Sequence, residues 1–89
     1  MKFEDRLELL IVSFLNENGI NVETIKGLDL MDIGLDSIMF VSLIIHIETE
    51  FNIIIPDEFM TMERFSDFRE IVKVIGTVIH NGDRTSEYD

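Results

Sequence analysis

Three stretches of this chain repeat their apolar residues at the spacing of a helix with one buried face. In the first, Phe3, Leu7, Leu10, Ile11, Phe14 and Leu15 share a side. Glu4, Asp5 and Glu8 sit in its early turns, where the positive end of the helix dipole favours acids. Asn18-Gly19 is a stop signal, because glycine takes the left-handed conformation that follows a last turn. The spacing predicts a helix over about 3–18. In the second, Asp36-Ser37 opens a helix that runs to about Phe51, with either residue able to cap it. Its core stripe reads Phe40, Leu43, Ile44, Ile47 and Phe51. A second apolar row, Ile38, Val41 and Ile45, lies on a different side, as expected of a central helix or of one that meets a partner. The third helix opens at Ser66-Asp67, sets Phe68, Ile71, Val72, Ile75 and Ile79 on one face, and stops at Asn81-Gly82.

Residues 19–35 follow neither the helical nor the strand period. Ile20, Val22, Ile25, Leu28, Leu30, Ile33 and Leu35 are scattered there among Gly27, Gly34 and acids. Loops this long in a small domain are commonly functional, and the apolar content predicts that this one packs over the core. Ile53-Ile54-Ile55 has the composition of a strand, but no neighbouring run offers it a partner. Pro56, followed by Asp57 and Glu58, starts a short helix over 56–62. Asp83–Asp89 reads as a frayed tail. The predicted fold is all-α: a small four-helix bundle, three longer helices plus one short, with a long loop between helices one and two. Residues 1–82 form the one domain that 89 residues allow, and 83–89 a disordered tail.

The charge narrows the function classes. Eighteen acids against seven bases give a formal charge of −11, which repels a phosphate backbone and an anionic membrane surface. From Gly27 to Glu63 there are eight acids and no Lys or Arg, so this segment carries −8 of the total. It is either a solubilising surface or a field that steers basic partners in. The absence of cysteine removes disulfides, thiolate–zinc sites and cysteine nucleophiles. No apolar run approaches the roughly 20 residues of a membrane-spanning helix, and no signal-peptide pattern opens the chain. A cytoplasmic, monomeric domain without catalytic equipment is the expectation, and Met1 with the short tail fits a free-standing protein.

Two chemical patterns fail on spacing. Asp29, Asp32, Gly34 and Asp36 suggest a calcium loop. Counted from Asp29, the glycine falls at position 6, but position 3 is Met31 and position 12 is Phe40, where a bidentate glutamate is required. No metal site is expected. Ser37 and His46, nine residues apart on one helix, are separated by about 13–14 Å of rise and half a turn, so they cannot form a nucleophile–base pair. Nor is there a glycine-flanked serine elbow. His80 reads as a cation near a helix C-terminus. No catalytic residue is assigned. Taken alone, Ser37 reads as a helix cap.

Gly34-Leu35-Asp36-Ser37-Ile38, however, resembles the attachment motif of acyl carrier proteins, at the head of their second helix. Glu48-Thr49-Glu50-Phe51-Asn52-Ile53-Ile54-Ile55-Pro56-Asp57-Glu58 is similar to a second stretch of that family, in register with the first. The order of helices agrees over roughly residues 3–80. The resemblance implies that Ser37 carries 4′-phosphopantetheine, placed there from coenzyme A by a phosphopantetheinyl transferase with its own metal ion and base. The arm ends in a thiol that holds acyl groups as thioesters, the one thiol in a chain without cysteine. A phosphodiester at a helix N-terminus also meets the positive end of the dipole.

The same resemblance implies that Asp36 helps the transferase dock. Ile38, Met39, Val41, Ser42, Ile45, Glu48 and Thr49 would form the outward face read by acyl-loading ligases or acyltransferases and synthase enzymes. Phe40, Leu43, Ile47, Phe51 and Ile55 would line the interior, where some members hold the acyl chain. Their bulk predicts a filled core. Fatty-acid carriers usually have acids near the positions of Met39 and Ser42, which favours a polyketide or hybrid peptide–polyketide pathway here over housekeeping fatty-acid synthesis. Asp36 before Ser37 looks more acyl-type than peptidyl-type. The alternative is an unmodified acidic module docking through Ile38, Val41 and Ile45. A small hydrolase using Ser37 is the remaining reading.

Overall fold

The three apolar stripes become three α-helices in the computed structural model, which describes the backbone of residues 2–86 and the side chains of residues 2–80. They are α1 (Phe3–Glu17), α2 (Ser37–Phe51) and α3 (Phe68–Ser86), and they make a small helical bundle. Two 3-10 turns, Asp57–Phe59 and Met62–Phe65, lie between α2 and α3. The described residues contain no strand. Among them, no helix is long and apolar enough to cross a membrane.

α1 and α2 contribute the sides their periods mark, and α3 a side shifted by one row. Leu7, Ile11, Phe14 and Leu15 of α1 are buried against Phe40, Leu43, Ile44 and Ile47 of α2 and Phe68, Ile71, Val74, Ile75 and Val78 of α3. Fully burying a side chain of this size contributes about 1.5–3 kcal/mol, so these residues dominate the stability. No charged or polar side chain among the described residues is buried with them. An ion pair of 3.0 Å joins Arg6, early in α1, to Glu50, late in α2, so the two helices run antiparallel. Gly19 ends α1 at a φ of +87°, as its sequence position suggests.

The connection from α1 to α2 packs down as its composition predicts. Ile25, Leu30 and Leu35 are buried in the common core. The Leu30 N–H donates to the Ser66 carbonyl at 2.8 Å, and an isolated antiparallel bridge pairs Asp29 with Asp67. The start of α3 thus holds the middle of the connection.

Five expectations need correction. The short helix over 56–62 does not form as one element. Met60 and Thr61 leave helical geometry, and the Thr61 hydroxyl accepts from the Arg64 N–H at 3.3 Å, capping a separate turn. A cap signal inside the predicted helix therefore splits it. Asn81-Gly82 does not stop α3, which continues to Ser86. Glycine inside a helix costs only about 1 kcal/mol, too little to end one by itself. The proposed tail accordingly begins as helix, residues 87–89 lie outside the described residues, and His80 stands well before the helix end. Finally, the buried side of α3 includes Val74 and Val78, while Val72 and Ile79 are only half-buried. The apolar stripe of α3 is broad, and its buried side lies one row round from the one its spacing suggests.

Candidate functional site

The head of α2 is built by the connection that precedes it. The Asp29 carboxylate accepts from the Met31 and Asp32 N–H groups at 2.8 and 3.2 Å, closing a turn on itself. Gly34 then takes a φ of +120°, and a Cβ there would come within 3.2 Å of Ile20. Only glycine meets both conditions without strain. The Leu35 N–H returns to the Leu30 carbonyl at 2.9 Å, and both leucine side chains are buried. Two apolar anchors therefore hold the next residues, Asp36 and Ser37, at the surface.

Asp36 is the helix cap. Its backbone is extended, with φ −105° and ψ −179°, and its carboxylate accepts from the Met39 N–H at 2.8 Å. Of the two candidates for the cap, this selects Asp36 and leaves Ser37 as the first helical residue. Ser37 is exposed, and among the described residues its hydroxyl has no hydrogen-bond partner. The Ser37 and Ile38 N–H groups likewise have no partner among the described residues. A free primary alcohol beside unpaired N–H groups at the positive end of a helix fits a phosphate ester.

The outward side of α2 is apolar. Ile38 is 80% exposed, Val41 57% and Ile45 55%, so the second apolar row is a surface feature rather than part of the core. Thr49 is exposed beside them, and Ser42 is half-buried. Met39 is half-buried and packs against the core, so it forms the edge of this face. Glu48 turns the other way. Its carboxylate accepts from the Ile55 N–H at 2.9 Å, and its carbonyl accepts from the Ile53 N–H at 3.0 Å. With Asn52 left-handed at φ +54°, these bonds fold the 53–55 segment back so that Ile55 enters the core. The sequence offered no local signal for this use of Glu48, since the partner lies seven residues on.

Glu50 and Phe51 of the second family-like stretch are also engaged within the chain. Arg6 pairs with Glu50 and stands 4.7 Å over the Phe51 ring. His46 does not approach Ser37. Its Nδ1 lies 2.8 Å from the Ser42 carbonyl and its ring meets the edge of Phe14. In the interior, Phe40 and Phe65 meet edge to face with centroids 5.5 Å apart.

Comparison with known proteins agrees with this geometry. The family model described as "Phosphopantetheine attachment site" matches residues 8–75. Aminoacyl carrier protein 2 of Bradyrhizobium diazoefficiens is 29% identical over 79 residues, covering 89% of this chain and 89% of that protein. Aminoacyl carrier protein 1 of the same organism is 27% identical over 73 residues, covering 82% of this chain and 81% of the relative. No solved structure is a significant match. The family match spans both the head of α2 and the core that supports it, and the chain therefore belongs to the phosphopantetheine-attachment family of acyl carrier proteins, which hold covalent 4′-phosphopantetheine and act as carriers rather than catalysts.

Proposed function

We propose that Ser37 carries the 4′-phosphopantetheine and that this chain holds acyl groups there and delivers them to partner enzymes. The observation that carries this reading is the free, exposed Ser37 hydroxyl, whose capping role Asp36 has taken. The bound group supplies a thiol at the end of a flexible arm, which forms thioesters with carboxylic acids. The chain's own residues do the rest. Leu30 and Leu35 fix the height of Ser37 above the core, and Asp36 rigidifies the first turn. Ile38, Val41, Ile45 and Thr49, edged by Met39 and Ser42, form the face on which partners dock. The acids of the Gly27–Glu63 segment steer basic partners toward it. Glu48 serves this face by fixing the turn behind it.

The partners in this reading are a phosphopantetheinyl transferase, an acyl-loading ligase or acyltransferase, and synthase enzymes. Attachment from coenzyme A makes the cytoplasm the site of loading, and a charge of −11 opposes self-association, so the carrier works as a monomer. The apolar side chain of Met39 and the uncharged Ser42 support a dedicated polyketide or hybrid peptide–polyketide pathway over housekeeping fatty-acid synthesis. A second reading, with an aminoacyl cargo, is supported by the names of both relatives.

Intact-mass measurement tests the attachment. With coenzyme A and a phosphopantetheinyl transferase the chain gains one phosphopantetheine, and Ser37→Ala gains none while keeping its helical circular dichroism. An unchanged mass with several broad-specificity transferases overturns the proposal. Mass analysis of protein from its own source then identifies the cargo.

A further inference from the structure

The apolar surface of α2 does not end at its outward row. Between α2 and α1 runs an open groove of about 540 Å³, whose walls include Leu9 and Phe14 on one side and Ile45 and His46 on the other. Leu9 is the informative residue. It is 55% exposed, like Ile45, yet it belongs to α1, whose other large apolar side chains are buried or half-buried. Its exposure adds nothing to the core and leaves apolar area in water.

Charge limits what can cover this groove. Its lining includes Glu17, which has no ion-pair partner among the described residues, and Glu50, which Arg6 already pairs with. A second copy of the chain would bring another −11 to the contact. The chain's own arm is poorly placed to enter. On a helix wheel Ser37 lies on the flank of α2 that also carries Glu48, whereas His46 and Glu50 lie on the opposite flank, with the Ile38–Ile45 row between them. The two flanks suit a single partner that straddles α2.

We propose that the α1–α2 groove receives an apolar side chain of the enzymes this carrier serves, with a neighbouring Lys or Arg of the enzyme pairing with Glu17. This inference rests on the carrier reading above. It makes α1 part of the docking surface, with Leu9 as the wall opposite Ile45. The partner's reactive centre faces the Ser37 flank while its apolar anchor holds the other side of the helix.

The test uses the full chain and a defined probe: a short helical peptide with one leucine flanked by two arginines, and its leucine-to-serine control. In a nitrogen-15 titration the expected shifts fall on Leu9, Ser13, Ile45 and His46, with the control peptide binding more weakly. Leu9→Glu lowers the affinity by about tenfold. Leu9→Met retains it, and Glu17→Gln lowers it roughly two- to threefold with a weaker salt dependence. Leu9 is half outside the core, so these variants fold. Shifts confined to Ile38 and Val41, no shift at millimolar peptide, or equal affinity for Leu9→Glu overturn the proposal. Sedimentation showing a dimer lost in Leu9→Glu overturns it in favour of a second copy. Repeating the titration on Ser37→Ala separates the two ideas: failure of attachment sinks the carrier reading, whereas the groove stands or falls on the peptide alone.

Discussion

α2 and α3 both supply a row of fully buried side chains, but they treat the opposite side differently. α3 turns Arg69, Glu70, Lys73, Thr77 and His80 to the surface, the ordinary polar back of an amphipathic helix. α2 turns Ile38, Val41, Ile45 and Thr49 outward, so apolar residues lie on both its sides. Packing accounts for all of α3 and for only half of α2. The second row of α2 yields little burial energy in the isolated chain, and an exposed apolar row also invites association. Its position beside Ser37 is what the proposed docking role rests on.

Substitutions on the two sides of α2 can break that comparison. Leu43→Ala, in the buried row, should cost about 2–5 kcal/mol in a urea titration, because it removes fully buried carbons and leaves a cavity. Asp36→Ala should cost about 1 kcal/mol through loss of the cap. Asp36→Asn should keep that stability, since asparagine caps as well, while slowing phosphopantetheine attachment by the transferase in a timed intact-mass assay. Ile45→Ser should change stability by no more than about 0.5 kcal/mol and yet weaken transfer to partner enzymes. An Ile45→Ser loss as large as that of Leu43→Ala would mean that the outward row is core after all. An unchanged transfer rate would mean that it is only surface.

The parts of the fold written in short-range pattern were legible in the sequence. The buried rows of α1 and α2 follow from period alone, and Leu30 and Leu35 follow from the apolar content of the connection. Local pattern misleads where two local signals compete. Thr61 acts as a cap within a run that otherwise reads as one helix, and Asn81-Gly82 is outweighed by the helix around it. At the site, the motif identified Asp36-Ser37, but the sequence left open which of them caps α2. The Asp36–Met39 bond answers that and thereby frees the serine. Glu48 is used through a contact that no local pattern encodes. It lies at the margin of the outward face by position, and its half-buried carboxylate is instead spent on the Ile55 N–H, a tertiary bond without a local signature.

The Leu30 N–H bond to Ser66 and the Leu35 N–H bond to Leu30 form a two-link chain from the start of α3 to the residue before Asp36. Deuterium can reach these two amides only when the links part. Their exchange rates are therefore a clock for how often the anchor of Ser37 comes loose, readable without labelling the serine itself.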